Sequence, residues 1–130
     1  MPAGAVEDAA GRVAAILEQT LADERGRWLL GTHAHAESEL RLTGVLGEEI
    51  VSVAMDRTFV DESGTRWIVD YKTGTHEGGD IEAFLDRERE RYRLQLERYA
   101  ALMRGLDRRP IRLGLYFPLL GGWREWEAKG

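Results

Sequence analysis

The chain has no cysteine. That excludes disulfides and thiolate metal centres, and it suits a reducing cytoplasm. It has no apolar run near the length that spans a bilayer, and its alanine-rich start lacks the basic leader and apolar stretch of a signal peptide. The expectation is a cytoplasmic protein with no membrane partner. Positive charge is in deficit: 18 Lys and Arg against 23 Asp and Glu leave a net −5, where a free-standing nucleic-acid binder usually shows a basic surface. No stretch fits G-x-x-x-x-G-K-[ST], so the chain cannot itself be a P-loop ATP-hydrolysing motor. Internal repeats and low-complexity tracts are also missing. What is present is 130 residues, 43% of them hydrophobic, with four Trp. This is the length of one domain with a core of its own, divided into an N-terminal helix in 1–24 and a core in 25–130.

In "AVEDAAGRVAAILEQTLAD", Val6, Ala9, Ala10, Val13, Ile16, Leu17, Thr20 and Leu21 fall at helical spacing. They predict an amphipathic helix over roughly residues 5–22, weakened by Gly11. A short apolar piece, "RWLLG", precedes two strands, "ESELRLTG" and "EEIVSVAMDRTFV", joined by a turn around Gly44 to Gly47. The stretch "DESG" closes a second hairpin onto "TRWIVDYKTG". Asp80 then caps a long helix running to about Arg104, with Gly105 as a left-handed stop and Leu106 as its apolar contact. "IRLGLYF" puts Ile111, Leu113, Leu115 and Phe117 on one face, and Gly121 and Gly122 turn into a last strand, "WREWE". The order helix, three strands, helix, two strands indicates an α/β fold with a mixed sheet. The strands and two amphipathic helices are expected to complete one core.

The chemistry is concentrated in "IVDYKTG". Residues two apart in a strand share a face, so Asp70 and Lys72 stand side by side on the face of Ile68, with Val69 and Tyr71 opposite. One strand earlier, Ile50, Ser52, Ala54 and Asp56 share a face by the same rule. A hairpin around "DESG" makes Asp56 and Asp70 candidates to meet across the pair. Two carboxylates repel unless a cation lies between them, and oxygen ligands without Cys favour Mg2+ or Mn2+ over zinc. Lys72 beside them could orient or help ionise a metal-bound water, and offset charge on a phosphate. On the long helix, Tyr92, Gln95, Leu96, Tyr99, Met103 and Leu106 share one face, and Gln95 is its single amide.

Plainer readings stand beside these. "DYK" alone reads as an ion pair on an exposed strand end, and Asp56 could pair with Arg57 or Arg66. Tyr99 is a core aromatic first, and Gln95 could be a helix-surface amide. His33 and His35 read as surface residues, and His76 lies near the proposed site or faces solvent. Glu37 and Glu39 are ordinary alternating-strand carboxylates. "DRERERYRLQLER" is a salt-bridged, solvated helix face, whereas "RGLDRRPIR" is net basic and better suited to phosphate.

Taken together, Asp56, then "DYK" fourteen residues on, then "QLERY" on a helix, resemble the RecB-type branch of the PD-(D/E)XK nucleases. More narrowly, "RGRWLL", "SELRLTG", "DRTFVDESGTRWIVDYKTG" and "YRLQLERYAALM" resemble the C-terminal nuclease domain of AddA-like and RecB-like (UvrD-type) helicase–nucleases, over about residues 25–120. The resemblance implies a restriction-endonuclease-like fold, a central mixed sheet flanked by helices. It implies a Mg2+-dependent deoxyribonuclease, an exonuclease, fused to a helicase motor in double-strand-break repair and recombination. DNA, as a single strand, would be delivered by that motor, ATP would be used only there, and a partner helicase–nuclease subunit is implied. The motor and partner would also answer the deficit of positive charge. By the same resemblance Asp56 and Asp70 bind the metal and the backbone carbonyl of Tyr71 completes its protein ligands. Lys72 assists the attacking water, and Gln95 and Tyr99 match the accessory helix motif.

Two features depart from the family. Val53 stands where Gly is frequent, and the metal-binding His expected on an upstream helix is missing, so the chain is expected to begin after it. His33 and His35 lie too close to the first strand to replace it. A non-catalytic DNA-binding or docking module that keeps the nuclease fold is the alternative, and a restriction enzyme or junction resolvase of the same fold is a third reading.

Overall fold

A computed structural model describes residues 3–76 and 78–129; the side chains of residues 3–10, 12 and 13 lie outside that description. Its elements are α1 (Ala3–Ala22), α2 (Glu24–Leu30), β1 (Ala34–Leu46), β2 (Glu49–Val60), β3 (Arg66–Tyr71), α3 (Ile81–Arg104), β4 (Ile111–Phe117) and β5 (Gly122–Glu127). The strands form one five-stranded sheet in chain order. Every neighbouring pair is antiparallel except β3 and β4. A parallel pair needs a crossover, and α3 supplies it. The α/β class and mixed sheet expected from the sequence are therefore what the chain adopts. No helix among the described residues is long and apolar enough to cross a membrane.

Helices cover both faces of the sheet around β3 and β4. Against one lies α3, whose Leu85, Leu96, Tyr99, Ala100 and Met103 pack on Ile68, Ile111, Leu113, Leu115 and Phe117. The alternation of "IRLGLYF" predicted that apolar face of β4. Asp80 begins the helix as expected, its side chain accepting the backbone N–H of Ala83 at 3.2 Å. Against the other face lies α2, bringing Leu29 onto Phe59, Trp67, Val69 and Tyr116.

Several expectations are corrected. The short apolar piece "RWLLG" belongs to a helix, supplying four of the seven residues of α2 and its C-cap Gly31. Arg57 reaches across to donate to the carbonyls of Leu29 and Gly31, each at 3.1 Å, which satisfies groups that a helix end leaves unpaired. The β1–β2 turn lies at Gly47, with φ of 64°, because Leu46 pairs with Glu49. Gly44 stays inside β1, where an added Cβ would come within 2.7 Å of the Leu102 side chain on α3. Gly105 is not left-handed: its φ of −69° and ψ of −19° continue the right-handed turn, and Leu106 is exposed rather than packed. The expected stripe on α1 is only partly described. Val6, Ala9, Ala10 and Val13 lie outside the described side chains, Thr20 is buried, and Leu17 and Leu21 are each 50% exposed. From its described side chains, α1 leans on α2 and adds little to the two cores.

A buried ion pair closes the end of the sheet where β3 begins. Arg66 donates through Nε to Asp107 Oδ2 at 2.9 Å and through a terminal nitrogen to the His35 carbonyl at 3.1 Å and Thr58 Oγ1 at 3.3 Å. Asp107 also accepts the backbone N–H of Arg109 at 3.0 Å. Arg66 is thus engaged far from Asp56, and the plainer pairing considered for Asp56 does not form. Removing one partner of a buried pair strands the other charge. Asp107→Ala should lower unfolding stability by about 3 kcal/mol in urea titration, and the apolar double replacement Arg66→Met, Asp107→Leu should recover most of that loss.

Candidate active site

The β2–β3 register pairs Thr58 with Ile68 and Arg57 with Val69. One step further sets Asp56 opposite Asp70, where the ladder ends. There the Asp56 carboxylate takes over from the backbone, accepting the Tyr71 N–H through Oδ2 at 2.8 Å. Lys72 Nζ lies 3.3 Å from Asp70 Oδ2 and 3.8 Å from the centre of the Tyr92 ring. Asp70 therefore stands between a like charge and an opposite one, with its side chain only 5% exposed. Burial, and after it the charge of Asp56, pushes its carboxyl up to about 6 against the opposing pull of Lys72.

Asp56 reaches this position by a break in strand alternation. Met55 and Val53 face α3, yet Arg57 has turned to the α2 face, where it meets Leu29 and Gly31. The reversal falls at Asp56, between the pairs Leu40–Met55 and Ser38–Arg57. Facing it on β1 is Glu39, whose φ of 54° lies in the left-handed region, uncommon for such a residue. The expected grouping of Ile50, Ser52 and Ala54 with Asp56 is thereby corrected. Those three side chains are exposed on the opposite face, and the bend at Glu39 and Asp56 is the reason.

Tyr71 contributes its backbone. Its N–H points to Asp56, while the N–H of Lys72 bonds the Tyr116 carbonyl of β4 at 2.8 Å. In a planar trans peptide the carbonyl opposes the N–H, so the Tyr71 carbonyl points away from β4, towards the side on which Asp56 lies. The Tyr71 side chain goes to the other face, 6.4 Å from the Tyr116 ring, and burial pushes its phenol up to about 12.

From α3, Gln95 donates through Nε2 to the Tyr99 hydroxyl at 2.5 Å. Tyr99 is 6% exposed and belongs to the core, while Gln95 is on the helix surface, so both plainer readings hold as descriptions of packing. Burial raises the Tyr99 phenol, and the charges of Asp70 and Asp56 add to that rise. The hydroxyl thus feels both carboxylates.

Two carboxylates and a carbonyl form an oxygen-only donor set with more negative charge than Lys72 offsets, which fits a hard divalent cation. Among the described residues no third His, Cys, Asp or Glu joins them to make a larger cluster. His33 is half-buried rather than a plain surface residue, stacking on Phe59 with centroids 4.1 Å apart and with its Nε2 2.5 Å from the Trp28 carbonyl, whereas His35 is exposed as expected. His76 stacks on Phe84 at 4.6 Å. The arginines of α3 pair along the helix, Arg91 with Glu88 and Arg93 with Glu90, as the charge pattern indicated. In the basic stretch after α3, Arg109 is committed to Asp107.

A family model for the PD-(D/E)XK nuclease superfamily matches residues 2–123, a span that includes Asp56, Asp70, Lys72, Gln95 and Tyr99. No curated protein matches the chain.

The raised Asp70 carboxyl has a thermodynamic signature. An unfolded aspartate titrates at about 3.9, so between that value and about 6 the folded state binds more protons, and stability falls as pH rises through the window. Asp70→Asn should therefore gain on the wild type between pH 4 and 7, by on the order of 1–3 kcal/mol, in urea titrations with a chelator present. A difference that stays flat across that range would contradict the assignment.

Proposed function

Because the chain belongs to the PD-(D/E)XK nuclease superfamily, we propose that it is a Mg2+-dependent deoxyribonuclease of the RecB-like branch. In this reading it is the exonuclease part of an ATP-dependent helicase–nuclease that processes double-strand breaks. The observation that carries the nuclease reading is the convergence of Asp56, Asp70 and Lys72 at the end of the β2–β3 ladder. A module kept only for docking would have no use for a buried carboxylate pair beside an ammonium. The helicase context is supported by the likeness of "RGRWLL", "SELRLTG" and "YRLQLERYAALM" to such nuclease domains.

Asp56 and Asp70 would hold Mg2+, or Mn2+ in its place, with the Tyr71 carbonyl as a third protein oxygen. The ion supplies Lewis-acid polarisation of the phosphodiester and neutralises charge that develops on it. Lys72 has three N–H donors and no lone pair while protonated, so it orients the attacking water and offsets phosphate charge rather than binding the ion. Gln95 fixes the Tyr99 hydroxyl and keeps its own carbonyl oxygen free for substrate. A single DNA strand is the substrate this reading favours, presented by a motor that holds it against a chain of net −5.

Asp56→Ala or Asp70→Ala in the full-length protein should abolish cleavage without unfolding it. Lys72→Ala should retain Mg2+ binding by calorimetry and lose turnover by about a hundredfold or more; metal binding lost with turnover kept would reverse the assigned roles. The 130-residue chain alone is expected to cut single-stranded DNA poorly, because cleavage needs positioning as well as an ion. Strong turnover by that chain with Mn2+, sensitive to Asp70→Ala, would show that neither a further metal ligand nor a motor is required.

A further inference from the structure

Lys72 has two neighbours of different character. Asp70 attracts its ammonium at 3.3 Å, and the Tyr92 ring receives it at 3.8 Å from the centroid, well inside the range of a cation–π contact. The two attractions respond differently to a divalent cation. When Asp70 gives its charge to the ion, its pull on Lys72 is largely offset, and the ion itself repels the ammonium. The quadrupole of the ring is unaffected. Without a second holder, a flexible lysine stem would swing to solvent at the moment its position matters.

We infer that Tyr92 is the positioning residue for Lys72, its ring face holding the ammonium at the Asp56–Asp70 pair. Tyr92 lies three residues before Gln95 and seven before Tyr99, so one stripe of α3 presents ring, amide and phenol to the site. The same ring carries Arg91 at 5.2 Å. The Arg91 side chain is 68% exposed, however, whereas that of Lys72 is 22% exposed. The less solvated cation gains more from the contact.

The inference rests on the nuclease reading only for its effect on turnover. The chain has two lysines, Lys72 and Lys129, so labelling with 13C-lysine leaves two sets of side-chain resonances, one of them an internal reference. The ε-methylene of Lys72 should be shifted upfield by the ring in the wild type and in Tyr92→Phe, with and without Mg2+. It should move to the Lys129 position in Tyr92→Leu. Wild-type resonances that coincide, or a Lys72 signal that Tyr92→Leu does not move, overturn the inference; the wild-type spectrum alone decides if the leucine variant does not fold. In the full-length protein, Tyr92→Leu should lower kcat about tenfold at unchanged KM and Mg2+ affinity, and Tyr92→Phe should restore it. Full kcat with Lys72 released would remove the positioning role. A wild type with no Asp70-dependent cleavage would sink the nuclease reading instead, and the Lys72 resonance would still decide the inference.

Discussion

Asp56 accepts the Tyr71 amide at the point where β2 and β3 stop pairing, and the geometry of the site depends on this bond. A carboxylate in that role does two things at once. It satisfies a backbone donor that would otherwise be left at the ladder's end, and it brings a charge against Asp70 that burial makes costly. The strand end is therefore ordered by the same group that makes it electrostatically unfavourable. Lys72 offsets part of that cost from the other side of Asp70, and the hydroxyl of Tyr99 lies close enough to feel both carboxylates.

The two faces of the sheet divide the work. On the α2 face, Trp28 meets Phe59, Trp67 and Trp123 edge-on at centroid distances of 5.1, 5.2 and 6.3 Å, and Tyr116 donates to Asp23 at 2.6 Å. That face anchors the helical N-terminal segment. On the α3 face, an apolar floor from β3 and β4 gives way at the strand ends to carboxylate, ammonium, amide and phenol. Tyr71 belongs to both, with its ring among the aromatics and its backbone at the site. Its neighbours Asp70 and Lys72 are thus held in place by packing on the reverse side.

Much of this was legible in the sequence for identifiable reasons. Period-two alternation marked β4 and the end of β3, "DESG" marked the second hairpin, and Asp80 marked the start of α3. Asp61 in that hairpin accepts from Ser63, Thr65 and Trp67, the local bonding that makes Asp a turn residue. Strand spacing pointed to the meeting of Asp56, Asp70 and Lys72, and the chemical roles given to them and to Gln95 and Tyr99 rest on the family resemblance together with that placement. Other features left no local trace. A seven-residue helix such as α2 is too short for periodicity to reveal. Gly44 and Gly47 punctuate the sequence alike, but only Gly47 takes a positive φ, and Gly44 lies against the distant Leu102. His33 is packed by Phe59 and Trp28, partners that spacing does not disclose. Helical periodicity placed Tyr92 on the inner face of α3, but it could not show that this face meets Lys72. The bend at Glu39 is the clearest case, since a left-handed glutamate has no compositional signature.

That bend bears on more than the placing of Asp56. β1 is one of the two edge strands of the sheet, and over its thirteen residues one side of its backbone has no neighbouring strand. A long, flat border of this kind is a template on which another chain can add itself, the route to edge-to-edge aggregation. Left-handed residues at His35 and Glu39 interrupt the first part of that border, and the exposed charges of Glu37, Glu39 and Arg41 make that part a poor surface to pair with. The irregularity that turns a carboxylate into the site thus also makes the first part of β1 a poor template for another strand.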